Sequence, residues 1–282
     1  MPMYSGKAIA MLLTCSTAGV AAQLAPATLS AWEDYVQAAE SRLRSDQGAQ
    51  APWIDQVPGG RERLRGGEII AAPTDGKPLR SVPHGLIHDW TGSIFIPGAS
   101  ISDVLSVLRD YDRYAEYYGP SIRSAQLLDR SRDADSFRIR YIRKALVVTV
   151  VLDIEYEARY YRIDEDRWYS MARSTSVRQI QDYGQPGERT LAADHGSGYV
   201  WRALGISRLE QSDGGVYLEE ESVALSRKIP AELRWMVQPF VERLSKDLVI
   251  SSLRRTRLAV LGRKAPPTES QPMLRPERTC LR

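Results

Sequence analysis

A chain of 282 residues can form one sizeable domain with extensions or two small ones, and its 43% hydrophobic and 26% charged residues exclude wholesale disorder. The formal net charge of +3 is too small for a nucleic-acid footprint, so no nucleic-acid partner is expected. The arginines alternate with acids except at Arg254, Arg255 and Arg257, a cluster that suits the negative end of a helix better than a phosphate.

Residues 1–22 carry one cation, Lys7, and no acid. An apolar stretch, Ala8–Leu13, precedes a small-residue run, Ala18-Gly19-Val20-Ala21-Ala22. Val20 and Ala22 fit the two small-residue positions of a signal-peptidase site, so a secreted or periplasmic protein beginning at Gln23 is expected. Thr14 to Thr17 interrupt the apolar stretch, and a buried N-terminal helix is the competing reading. Leu12-Leu13-Thr14-Cys15 approximates a lipobox, although Thr14 is large for the position before the cysteine. No later segment approaches the roughly 20 apolar residues of a membrane-spanning helix, so no transmembrane segment is expected. Once the leader is removed only Cys280 remains, so the fold must rest on its core rather than on a disulfide.

Along the chain, Leu29–Arg44 reads as a helix capped by Ser30, with Trp32, Tyr35, Val36, Ala39 and Leu43 on one stripe. Residues 45–65, rich in Gly, Pro, Gln and charge, read as a linker or surface loop. A short strand at Glu68–Ala72 is followed by irregular chain punctuated by Pro73, Gly76, Pro78 and Pro83. His84–Pro97 reads as a strand, Ser102–Tyr111 as an amphipathic helix capped by Ser102, and Tyr111–Pro120 as an aromatic turn. Strands follow at Phe137–Arg143, Val150–Tyr161, Trp168–Arg178, Tyr199–Leu209 and Val216–Ser226. In the second of these Val150, Leu152, Ile154, Tyr156, Ala158 and Tyr160 alternate with Asp153, Glu155, Glu157 and Arg159, the pattern of an antiparallel sheet with one covered face. A long helix then starts near Pro230, with Leu233, Val237, Phe240, Leu244, Leu248 and Ser251 at helical spacing and Pro239 placed to kink or divide it. Residues 263–282 contain four prolines and no periodicity, the composition of a disordered tail.

This order of elements resembles the helix-grip fold of the START-like and polyketide-cyclase (SRPBCC) superfamily over about Leu86–Val260. The resemblance is carried by "IFIPGASISDVLSVLRDYDRYAEYYGP", "FRIRYIRKALVVTVVLDIEYEARYYRI" and "YLEEESVALSRKIPAELRWMVQPFVERL". It implies an α+β fold in which a curved antiparallel sheet wraps a long C-terminal helix around an internal cavity. It implies a domain over 84–262, preceded by a leader (1–22) and an N-terminal helix with an irregular extension (23–83). Members bind lipids, sterols or polyketides, and a minority act on them as enzymes. No catalytic motif is common to the superfamily, so no site residue transfers.

The chemistry-bearing clusters are few. His84 and His88 are close in sequence, but four strand residues span roughly 13 Å, whereas two ligands of one zinc lie within about 4 Å. No metal and no cofactor is therefore expected. Asp194-His195-Gly196-Ser197-Gly198 holds the residue types of a hydrolase triad, yet it reads as a turn, because triad members are assembled by the fold and no G-x-S-x-G elbow is present.

Glu219, Glu220 and Glu221 occupy consecutive positions of one strand, so they cannot share a face. Whether Asp213-Gly214 or Gly214-Gly215 form the turn, Leu204, Ile206 and Arg208 share a face with Glu219, Glu221, Val223 and Leu225. Ala203, Gly205, Ser207, Glu220, Ser222, Ala224 and Ser226 take the other. The first set is more apolar, which places Glu219 and Glu221 inward, with Arg208 opposite one of them, and Glu220 at the surface. A buried carboxylate requires a partner. The candidate cavity residues are thus Tyr156, Tyr160, Arg208, Glu219 and Glu221. Three functions fit: binding of a hydrophobic or lipid-like small molecule, cyclase or hydrolase chemistry through an inward glutamate, and an envelope interaction module without a ligand.

Overall fold

A computed structural model describes residues 22–44, 52–145 and 148–264; the leader up to residue 21 and the tail beyond 264 lie outside them. In chain order the elements are β1 (Ala22–Gln23), α1 (Pro26–Arg44), a 3-10 turn (Trp53–Gln56), α2 (Gly60–Arg65), β2 (Ile70–Pro73), β3 (Leu79–Val82) and β4 (Gly85–Pro97). Then come α3 (Ile101–Leu108), α4 (Tyr114–Tyr118), β5 (Ile122–Arg130), β6 (Ala134–Ala145), β7 (Val148–Arg162) and β8 (Arg167–Gln181). The chain closes with β9 (Arg189–Thr190), β10 (His195–Gly196), β11 (Arg202–Ser212), β12 (Gly215–Arg227) and α5 (Arg234–Lys264).

The main sheet runs β2-β4-β12-β11-β8-β7-β6-β5, with β3 added to β4, and every pairing is antiparallel. α5 packs on one face, where Val249, Leu253 and Val260 join Trp90, Ile94, Ile96, Leu209, Val216 and Leu218 in one core. This is the α+β helix-grip arrangement the sequence implied. The opposite face is also covered. Trp32, Tyr35, Val36, Ala39 and Leu43 of α1 bury Ile87, Leu204, Ile206, Val223 and Leu225, and Ile54 and Leu64 cover Phe95 and Tyr217 farther along. The central strands are therefore sandwiched, although their flanking strands alternate as half-covered ones do.

Several expectations need correction. α1 starts at Pro26, a residue suited to a first turn because its missing N–H has no intrahelical partner there; Ser30 lies inside the helix. Within residues 52–65 the chain is folded, not a surface loop, with Ile54 and Leu64 buried. Leu79–Val82 is a strand paired with β4 rather than irregular chain. The cap of α3 is Ser100, whose hydroxyl accepts from the Asp103 N–H at 3.2 Å while Asp103 accepts from the Ser100 N–H at 2.8 Å. The aromatic turn contains helix α4, and the polar edge strand β5 follows it; with one side open to solvent, β5 carries no clean alternation.

α5 is continuous through Pro239, which falls in its second turn. Its buried positions are Val249, Leu253, Thr256 and Val260. Leu233 is 40% exposed and Phe240 only partly buried, so the expected stripe was out of phase with the seated face.

Candidate functional site

The β11–β12 hairpin turns on Asp213-Gly214, both with φ near the left-handed region, so Ser212 pairs with Gly215 and Arg208 with Glu219. Side-chain parity follows as expected, but what lies over each face does not. A Cβ built at Gly92 would sit 2.6 Å from Val249 Cγ1 of α5, and Gly92 pairs with Glu220. Glu220 therefore faces the C-terminal helix. Glu219 and Glu221 face the N-terminal one.

Beneath α1 the two outer glutamates are 4% and 2% exposed and are paired. Arg208 donates to Glu219 at 3.0 Å and to Glu221 at 3.1 Å, and Arg42 of α1 donates to the other Glu221 oxygen at 2.9 Å. Ser93 donates to Glu219 at 3.3 Å. Nearby, Asp89 accepts from Tyr35 of α1 and from Thr74 at 2.5 Å. Three acids thus share two arginines. Burial, with Glu221 adding to it, pushes Asp89 up to about 6. Burial also raises Glu219, against the pull of Arg208. This cluster fastens α1 to the sheet, and its oxygens are engaged by protein.

The face under α5 is built differently. One row across the sheet runs Ala158, Ala172, Gly205, Ser222 and Trp90, and the next runs Tyr160, Ser170, Ser207, Glu220, Gly92 and Ala71. Side chains in the middle of both rows are small. Ala203, Gly205 and Ser207 keep accessible surface while Leu204 and Ile206 between them are buried, and the same contrast separates Glu220, Ser222 and Ala224 from Glu219, Glu221 and Val223. A Cβ at Gly205 would meet nothing within 4 Å. The concave face is therefore open at Gly205, while α5 closes on it at Gly92.

Aromatic residues form one flank: Tyr156, Phe137 and Tyr111 stack in series, with Tyr114 and Tyr118 against them. The Tyr160 hydroxyl is taken by Tyr111 at 2.6 Å, and Tyr111 also donates to Asp135, which Arg109 and Arg130 neutralise. Burial pushes the Tyr160 phenol up to about 12. At the far end, His88 bonds the Ser226 hydroxyl at 2.7 Å, and burial lowers its pKa to about 4, so the ring is neutral at physiological pH.

Glu220 is the exception among these groups. Among the described residues its carboxylate has the Ser252 hydroxyl of α5 as partner and no cation, and burial pushes it up to about 7. Open clefts lie elsewhere, among them one of about 500 Å³ beside α1, one of about 1420 Å³ at the β6–β7 hairpin end and one of about 400 Å³ beside Trp201.

Of the five residues chosen from sequence, Tyr156 and Tyr160 stand on the concave face, while Arg208, Glu219 and Glu221 stand on the opposite one. Glu219 and Glu221 are buried with Arg208 as their partner, as the apolar-face argument expected, but the face they share is the one sealed by α1 and not the one under α5. Glu220, placed at the surface by that argument, is the carboxylate under α5. The signal available in the sequence was the spacing of Ala, Gly and Ser at 203, 205, 207, 222, 224 and 226.

No family model matches the sequence, and no curated protein matches it. Among solved structures, a STAR-related lipid transfer protein from Xanthomonas axonopodis is similar at 16% identity over 66% of this chain and 99% of its own, with a TM-score of 0.43. The Zhui aromatase/cyclase from Streptomyces sp. R1128 is similar at 14% identity over 64% and 96%, with a TM-score of 0.42. A START superfamily protein from Mycobacterium smegmatis is similar at 12% identity over 60% and 96%, with a TM-score of 0.35. Strand order and the helix laid across the sheet, read from this chain itself, are those of a helix grip.

Proposed function

We propose that this protein binds a hydrophobic or amphipathic, lipid-like small molecule between the concave face of its sheet and α5. The observation that carries the reading is the open space at Gly205, set in a row of alanine and serine where a core would need larger side chains. Apolar contact would supply most of the affinity, and the serines and Glu220 would orient the ligand. Lipid transfer and aromatase/cyclase activity are named for proteins similar to this chain in fold, which fits the same class of ligand.

The test is to fill the hollow. Gly205→Leu directs its side chain into open space, so it should leave the melting temperature unchanged or higher while abolishing uptake of a neutral lipophilic dye such as Nile red. Uptake equal to wild type in a folded Gly205→Leu protein would refute the reading. Native mass spectrometry of protein from its own source should show a co-purified small molecule.

A second reading, acid–base chemistry, is favoured by one observation: a carboxyl that titrates near neutrality in a hollow can give or take a proton. It falls on Glu220 and not on the paired Glu219 or Glu221. We also read the protein as exported, on the composition of residues 1–22. N-terminal sequencing of material from outside the cytoplasm should begin at or near Gln23, and an intact Met1 form confined to the cytosol would end that reading.

A further inference from the structure

The buried acids of this protein come with their countercharges or donors. Asp135, fully buried, receives Arg109, Arg130 and Tyr111. Glu219 and Glu221 share Arg208, and Arg42 adds to the second. Asp89 receives Tyr35 and Thr74. Glu220 keeps some accessible surface but lies under α5, where burial pushes its pKa up, and it has only a serine hydroxyl among the described residues. A desolvated carboxylate is costly unless a cation or several donors face it, and the described residues supply neither.

The surroundings of that carboxylate are also particular. It lies near enough to the Tyr114 and Tyr118 phenols to help push both up. Both hydroxyls are engaged elsewhere, Tyr114 donating to the Leu108 carbonyl at 2.6 Å and Tyr118 pairing with Thr256 at 2.9 Å. Ser207, directly opposite on β11, and Ser170 beyond it add hydroxyl oxygens along the same row. One negative group and neutral hydroxyl acceptors form the recognition set for an organic cation, through charge pairing and accepted N–H bonds.

We propose that Glu220 is the counter-ion of the ligand, and that the hollow takes an amphiphile with a positively charged amine or ammonium group at the end of an apolar body. The inference rests on the hollow being a ligand site and adds the charge of what fills it. A general attraction for cations does not account for such selectivity, since the formal net charge of the chain is +3. An anionic amphiphile would set a second negative charge beside the first in a desolvated site. A neutral alcohol would leave the carboxylate uncompensated or force it to keep its proton.

The experiment compares dodecylammonium, dodecanol and dodecanoate, below their micelle concentrations, as competitors of Nile red on the full chain. Dodecylammonium should displace the dye at a concentration about tenfold or more below that of dodecanol, with dodecanoate weakest. Glu220→Gln should bring the amine to the level of the alcohol and leave the alcohol unchanged. Dodecanol equal to or better than the amine on the wild type would overturn the proposal while leaving the hollow a binding site. So would an amine preference that survives in Glu220→Gln. If wild type takes up no dye and binds none of the three, or if Gly205→Leu takes up dye as wild type does, the hollow is not a ligand site and the underlying reading fails instead.

Discussion

The two faces of β12 carry the same residue type at consecutive positions and treat it in opposite ways. Under α1, Glu219 and Glu221 are sealed and held by Arg208 and Arg42. Under α5, Glu220 has a serine as partner. Burial alone thus does not distinguish a structural acid from a functional one. The distinguishing feature is whether the protein itself supplies the countercharge.

The largest effect that would break this comparison is on the sealed side. Arg208→Ala leaves two buried carboxylates with one partly exposed arginine between them, so urea denaturation should show a loss of about 3–5 kcal/mol. A loss below about 1 kcal/mol would mean that Glu219 and Glu221 are solvated, and the contrast between the faces would disappear.

Next comes the seat of α5. Leu253, fully buried against the sheet, should cost about 2–5 kcal/mol when changed to Ala. Phe240→Ala, at a partly buried position in the half of the helix without fully buried described residues, should cost clearly less. A thermal melt in which Phe240→Ala is the more damaging would reverse the assigned face of the helix.

Glu220 sharpens the comparison through pH. Its folded pKa is about 7 against an ordinary value of 4.5, so between these pH values the folded state holds a proton that the unfolded state has released. Stability contributed by the protonated form is complete below about 4.5 and is lost as pH rises to about 7. The groups around the carboxyl are the Tyr114 and Tyr118 phenols and the Ser252 hydroxyl, and burial keeps both phenols neutral throughout that window. Glu220→Gln should therefore be more stable than wild type at pH 8, by on the order of 2–3 kcal/mol, and nearly equal to it at pH 4. Asp89 has the same sign over about 3.8 to 6 and would remain in the variant. A Glu220→Gln protein with an unchanged stability–pH profile would return Glu220 to solvent.

The smallest effect is a control. Arg173 and Glu33 pair at the rim of α1, with side chains 40% and 42% exposed, and Arg173→Ala should change stability by no more than about 0.5 kcal/mol. A larger loss would indicate that α1 is fastened by its rim and not by the sealed cluster.

How much was legible beforehand differs along the chain. Strands with one covered face announced themselves: Val150, Leu152, Ile154, Ala158 and Tyr160 alternate in sequence and are buried in the fold. The stripe of α1 was legible for the same reason, since a periodic apolar face on a charged element has one way to pack. The hairpin parity around Asp213-Gly214 was correct as well, because a two-residue turn with positive φ fixes the register.

The sequence by itself determined the class of fold, the long C-terminal helix, the strand faces and the need of a buried glutamate for a partner. These follow from local periodicity and turn chemistry, which short stretches of chain carry in full. Only the tertiary structure decided which face is the inside. That depends on α1, some 180 residues upstream of β12, closing over the more apolar side, and on the helical phase with which α5 seats through Val249, Leu253, Thr256 and Val260. With both sides of the sheet covered, hydrophobicity no longer marks the interior. The proposed site is marked instead by small side chains, and by an acid that has no cation among the described residues.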